Sequence, residues 1–173
     1  MRYYGQSNID RDIHHNFITK PFTNGTFLEL GAIDGVKFSN TKFFEDNMGF
    51  NQGVLIEPDP QSFESLKVNR PNCECFHYAI HSSLKEVEFL KSQENAVGCI
   101  NSIASDTFKS NWHKSSQKIK IPSTTLSDIL NQSKSDLEAA KVRLENAKSQ
   151  FDRGMELHAN GSISDKAYED IQE

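Results

Sequence analysis

Thr26-Phe27-Leu28-Glu29-Leu30-Gly31-Ala32-Ile33-Asp34-Gly35 is the stretch whose reading decides the fold. A short apolar run carrying one acid breaks into a loop with two glycines, and the segment Ser39 to Met48 that follows can be helical. A buried parallel strand feeds a ligand-binding turn in this way. A dinucleotide site would want G-x-G-x-x-G, with backbone amides and a helix N-terminus facing a pyrophosphate. The pattern here is E-x-G-x-x-x-G, with Asp34 inside the loop. Two carboxylates repel a pyrophosphate and attract a ligand with a cationic end.

Working outward, strand one is expected at Thr26 to Leu30, and its helix at Ser39 or Asn40, either of which can cap it. Phe43, Phe44, Asn47 and Met48 define the face of that helix, and Gly49 closes it. Gly53-Val54-Leu55-Ile56 is a continuous apolar run, as in a strand covered on both faces. It stops at Glu57-Pro58-Asp59-Pro60, and a helix from Gln61 to Asn69 presents Phe63, Leu66 and Val68 inward. After the turn Arg70-Pro71-Asn72, Cys73 to Ile80 reads as a third strand. Strand–helix–strand–helix–strand at this spacing implies a parallel, right-handed α/β unit.

On the N-terminal side, Ile9, Ile13, Phe17 and Ile18 predict a short lead-in helix, with His14 and His15 as surface or packing residues. On the C-terminal side, Glu86 to Leu90 looks antiparallel, Ser92 to Ser116 reads as a loop or lid, and Ile119 to Pro122 as a short strand. Thr124 or Thr125 can cap a helix through Leu126, Ile129 and Leu130. Leu130, Leu137, Leu144 and Phe151 then recur every seven residues, the seam of a coiled coil. The pattern breaks at Asn160-Gly161 and resumes at Ser162 or Ser164, so residues 131–173 are expected to form a helical hairpin. Residues 1–130 form the expected α/β domain.

Composition narrows the function classes. Across 173 residues, 36% hydrophobic content with 12 Phe supports one real core. A net charge of -5 argues against nucleic acid as the main partner. Cys73, Cys75 and Cys99 make no disulfide framework and too little for zinc, so no metal site is expected. A mean hydropathy of -0.62 and the lack of any apolar run near the roughly 20 residues of a membrane span point to a cytoplasmic protein.

Glu57 stands 22 residues after Gly35, at the end of strand two. A nucleotide-binding α/β fold places an acid there for the ribose hydroxyls, and a carboxylate can accept two hydrogen bonds at once. Three acids then have three jobs. Glu29 orients the loop or meets an ammonium, Asp34 meets the cationic end of the ligand, and Glu57 holds a ribose. S-adenosylmethionine, with a sulfonium, an α-ammonium and no phosphate, is such a ligand.

These residues carry a resemblance. Phe27 to Gly35, then Ser39-Asn40-Thr41, then Leu55-Ile56-Glu57-Pro58-Asp59-Pro60, then Asn69-Arg70-Pro71 resemble the FkbM family of class I S-adenosylmethionine-dependent methyltransferases over roughly residues 4–130. The resemblance takes in Gln6 and the stretch from Pro122 to Leu130. It implies a Rossmann-like sheet and O-methylation of a sugar or other small-molecule acceptor. It implies a cofactor site lined by Glu29, Gly31, Asp34, Gly35 and Glu57, with Ala79 or Ile80 near the adenine. It assigns no catalytic residue; His77, His81 and His113 are the candidates for a general base near neutral pH. The family pattern continues beyond the helix around Leu126 to a strand with an acidic D-x-E-G type motif. Here Ser133 leads instead into Lys134-Ser135-Asp136-Leu137, so a partial sheet is expected.

The tail has its own resemblance. Arg153, Leu157 and Ser164 follow R-x-x-x-L-x-x-x-x-x-x-S, which is similar to the hairpin tip of periplasmic adaptor proteins of tripartite efflux pumps. That resemblance implies a non-catalytic alternative, in which residues 131–173 self-associate or bind a helical partner.

Overall fold

The computed structural model describes residues 1–82, 85–92 and 95–134, together with Ser149, Arg153 and Met155. Two compact units divide at Ile129, Met1–Ile129 and Leu130–Glu173. The expected heptad seam and hairpin of the second unit, and two of the adaptor-like motif residues, Leu157 and Ser164, lie outside the described residues.

The first unit is α/β, built from a three-stranded parallel sheet and a second, four-stranded sheet. Strands β1 (Gly25–Leu30), β2 (Phe50–Ile56) and β3 (Glu74–Phe76) run in the order β1-β2-β3. Leu30 is in register with Ile56, and Ile56 with Phe76, so these strands end together. Two helices make the parallel crossovers. α2 (Lys42–Asn47) buries Phe43, Phe44 and Met48 against Tyr3, Tyr4, Ile13, Ile18 and Phe50. It starts later than Ser39 or Asn40, yet Ser39 still serves its first turn, its Oγ accepting from the Lys42 amide at 3.1 Å. Asn47 is exposed, and its side-chain amide turns back to donate to the Phe43 carbonyl.

α3 (Pro60–Asn69) begins with proline, whose missing N–H costs nothing there, and Asp59 caps it by accepting from the Ser62 amide at 2.9 Å. Leu66 is fully buried with Ala32 and Leu55. Val68, expected inward, is 78% exposed. It falls on the side of the helix away from Leu66, two residues along. The lead-in helix α1 (Ile9–Asn16) forms after a short 3-10 turn, with Ile9 and Phe17 exposed rather than packed. His14 and His15 both meet the Tyr3 hydroxyl, at 2.8 and 3.2 Å.

The expected third strand, Cys73 to Ile80, is two strands. After β3 the chain leaves the parallel sheet, and β4 (Ala79–Ile80) pairs in parallel with β7 (Gln117–Thr124). His77 holds the break: its Nε2 donates to the Pro58 carbonyl at 3.0 Å, and its ring stacks on Phe63 with centroids 4.9 Å apart. β5 (Glu86–Lys91) is antiparallel to β7, as its alternation suggested, and β6 (Cys99–Ile100) borders β5. Residues 95–116 are more ordered than the expected loop. They hold β6 and a helix, α4 (Asp106–Trp112), which Ser105 caps by accepting from the Phe108 amide. A seven-residue helix with little apolar periodicity leaves a weak trace in sequence.

The second sheet has its own core of Ala79, Val87, Phe89, Ile100 and Ile121. Residues 126–134 are helical, the Thr125 hydroxyl accepts from the Asp128 amide, and Ile129 packs on Ile56 and Phe76. Among the described residues, no helix is long and apolar enough to cross a membrane.

Candidate functional site

Because β1 and β2 end in register, their following residues converge at one edge of the parallel sheet. Gly31 and Ala32 both donate to the Ile56 carbonyl, at 2.9 and 3.1 Å, which folds the glycine loop back over the end of β2. Gly31 takes φ +68°, a left-handed conformation that glycine adopts without penalty, and a Cβ built on it would meet nothing within 4 Å. Gly35 also has positive φ, +78°, but there a Cβ would lie 2.5 Å from Arg70 Cγ and 2.7 Å from Leu66 Cδ1. One glycine faces open space; the other is needed for packing.

Glu29 and Glu57 are both buried, at 9% and 4% exposure, so each carboxylate needs partners. Glu29 accepts from the Asn40 amide at 2.7 Å, the Ser39 hydroxyl at 2.8 Å and the Thr41 hydroxyl at 2.7 Å. It therefore ties the end of β1 to the segment that opens α2. Glu57 accepts from the Ile33 amide at 2.8 Å and the Asp59 amide at 2.7 Å, joining the glycine loop to the start of α3. Burial pushes its carboxyl up to about 7, outweighing the two amides that favour the charged form; the nearby Asp59 charge adds to the rise. Asp34 turns into its own loop, accepting from the Val36 and Lys37 amides at 2.9 and 2.7 Å. Asp59 is ion-paired with Lys91 at 3.1 Å, and its carboxyl stays low because the Ser62 amide and Lys91 outweigh its burial.

Arg70 holds the whole arrangement from beneath. It is completely buried, ion-paired to Glu45 at 2.6 Å, and donates to the Gly35 carbonyl at 2.9 Å, Ser39 Oγ at 3.3 Å and Thr41 Oγ1 at 3.2 Å. Its guanidinium lies over the Phe27 ring, and neighbouring Asn69 donates to the Asp34 carbonyl at 2.8 Å. Sequence reading took Arg70 as part of a turn. The block Asn69-Arg70-Pro71 marked the position, but nothing local tells that the guanidinium is buried, a fork of donors serving a loop carbonyl and two hydroxyls.

Two cavities open at this edge, and Leu30 and Gly31 line both. The first, about 340 Å³, is bordered by Gln6, Glu29, Ile33, Asn40 and Thr41. Asn40 lines it, while its Oδ1 is buried beside Gly5 without a hydrogen-bond partner. The second, about 180 Å³, is more apolar and is bordered by Ile56, Pro58, Tyr78, Ala79, Ile80 and Phe89. Of the residues expected to bind a ligand, Glu29, Gly31 and Ala79 reach a cavity wall. Asp34, Gly35 and Glu57 shape the loop between the walls. Glu57 bridges the two regions, since Ile33, whose amide it holds, lines the first cavity and Pro58 the second. Asn40, Tyr78 and Phe89 were not foreseen; nothing in their sequence context separates a wall residue from an ordinary one.

No curated protein and no solved structure gives a significant match to the chain. The family model described as Methyltransferase FkbM domain matches residues 29–142, beginning at Glu29 and running past the expected boundary at residue 130. That match spans more than half of the chain, and with the parallel sheet and its glycine loop it shows that the protein belongs to the FkbM methyltransferase family.

Proposed function

We propose that this protein is an S-adenosylmethionine-dependent methyltransferase that modifies a hydroxyl of a sugar or other small-molecule acceptor. The observation that carries this reading is the shared wall: Leu30 and Gly31 separate a polar cavity from an apolar one at the carboxyl end of β1. A molecule with a charged amino-acid end and a flat nucleoside end fits such a pair of spaces. The linings also suit it: Gln6, Glu29, Asn40 and Thr41 border the polar cavity, and Tyr78, Ala79, Ile80 and Phe89 offer apolar surface.

In this reading Glu29 faces the ammonium end, and Gly31 lets backbone come close to the ligand. Glu57 keeps lone pairs on both oxygens beyond the two amides it already accepts, and these serve the ribose hydroxyls. Ala79 and Ile80 border the adenine. Asp34, Gly35, Asn69 and Arg70 position the loop. The bound cofactor supplies a methyl group to a nucleophilic oxygen by in-line displacement, and the chain contributes chiefly by positioning the reactants. In this reading the catalytic unit is residues 1–130, with residues 131–173 as an appendage to it.

Calorimetric titration of the full chain with S-adenosylmethionine tests the reading. Saturable binding that Ala79→Leu weakens, by filling the apolar cavity, supports it. Binding indifferent to Ala79→Leu, or no binding at all, refutes it.

A further inference from the structure

Cys99 lines the apolar cavity from β6, and its Sγ lies 3.4 Å from His113 Nε2. His113 is 9% exposed, and its other ring nitrogen, Nδ1, is 2.7 Å from Ser116 Oγ. The contacts accommodate the tautomer in which Nδ1–H donates to the serine oxygen and Nε2 accepts the thiol proton. The Phe108 ring, 5.3 Å from the imidazole, packs against the same group from α4. A nucleophile within reach of a base, with the base oriented by a third side chain, is the arrangement that activates cysteine in covalent chemistry.

We propose that Cys99, His113 and Ser116 form a nucleophilic thiol site that takes small, soft carbon electrophiles entering the apolar cavity. Burial holds the Cys99 thiol above its usual range, with Lys109 opposing the rise, so it rests protonated and relies on the base. In the reaction the Sγ–carbon bond forms as the carbon–leaving-group bond breaks, the leaving group departs with its electron pair, and the thiol proton passes to His113 Nε2. The other two cysteines lack such a partner. Cys73 donates to the Glu45 carboxylate at 3.4 Å, and burial and that charge push it up to about 12. Cys75 meets the Cys73 carbonyl.

The thiol shares the apolar cavity with the proposed nucleoside, but its test needs no nucleoside and can fail while that reading stands. The full chain is treated with iodoacetamide at neutral pH, and alkylation of each cysteine is timed by peptide mass spectrometry. Cys99 is expected to react about tenfold faster than Cys73, and His113→Gln to remove most of that advantage. Ser116→Ala, a milder change, should slow Cys99 severalfold by freeing the tautomer. Cys73 reports folding in each variant, since unfolding would raise its rate. Equal rates for Cys99 and Cys73 in the parent chain, or a Cys99 rate unchanged by His113→Gln and Ser116→Ala, overturn the proposal.

Discussion

Replacing each loop glycine by alanine separates ligand contact from packing. Both positions have positive φ, so each alanine incurs about 1–2 kcal/mol of backbone strain. At Gly31 that is the whole cost, because the new methyl enters open space, and the amide keeps its bond to Ile56. At Gly35 the methyl meets Arg70 and Leu66, both fully buried and unable to retreat, which adds about 1–3 kcal/mol of overpacking. With an unfolding slope of about 1–2 kcal/mol per molar urea, the Gly31→Ala midpoint falls by about 1 M and the Gly35→Ala midpoint by about 2 M. Ligand affinity should show the opposite order per unit of stability lost, since only the Gly31 methyl stands in the cavities. Urea unfolding followed by circular dichroism, paired with calorimetry on the folded variants, reads both effects. If Gly35→Ala proves no more destabilising than Gly31→Ala, the assignment of the two glycines is wrong.

Three further outcomes follow from the same geometry. Arg70→Met leaves Glu45 with only the Lys42 ion pair and the Cys73 thiol and takes the donor from the Gly35 carbonyl, so unfolding free energy should fall by about 3 kcal/mol; a loss under about 1 kcal/mol would contradict the anchoring role. Burial raises the Glu57 carboxyl to about 7 in the folded chain from an ordinary 4.5, so its contribution to stability is complete below the lower value and is lost as pH rises through the upper one. The difference between parent and Glu57→Gln stability should therefore change by up to about 3 kcal/mol between acid and mildly alkaline pH, and a pH-independent difference would exclude a raised Glu57. Asp59→Ala removes the cap of α3 together with the Lys91 ion pair and should cost about 1 kcal/mol or somewhat more in urea unfolding; no measurable loss would mean the cap is unimportant.

How much of this was legible in the sequence depends on whether the signal was local. The glycine loop, the apolar runs of β1 and β2, and the helix α3 are written in neighbouring residues; α3 begins one residue before the expected Gln61, and β2 begins at Phe50, three residues before the expected Gly53. The split of Cys73–Ile80 was not legible, because alternation continues through His77 while a contact from distant Pro58 bends the chain. Nor was the anchoring by Arg70, whose partners Glu45, Ser39 and Thr41 lie some 25 to 31 residues away. Glu29 and Glu57 could be singled out as acids at strand ends, Glu29 expected to orient the loop or meet an ammonium and Glu57 to hold a ribose. The structure shows each one already engaged in holding the loop. Buried carboxylates satisfy themselves with whatever donors the fold brings near, and only tertiary contacts name those donors.

Chemical-shift mapping of the full chain titrated with S-adenosylhomocysteine tests the central claim most directly, since that claim is a location. The account predicts saturable shifts at the amides of Leu30, Gly31 and Ile33, together with Tyr78, Ala79 and Ile80, the two groups that line the paired cavities. Shifts confined to α1 or α4, or none at ligand concentrations far above the protein's, would contradict it.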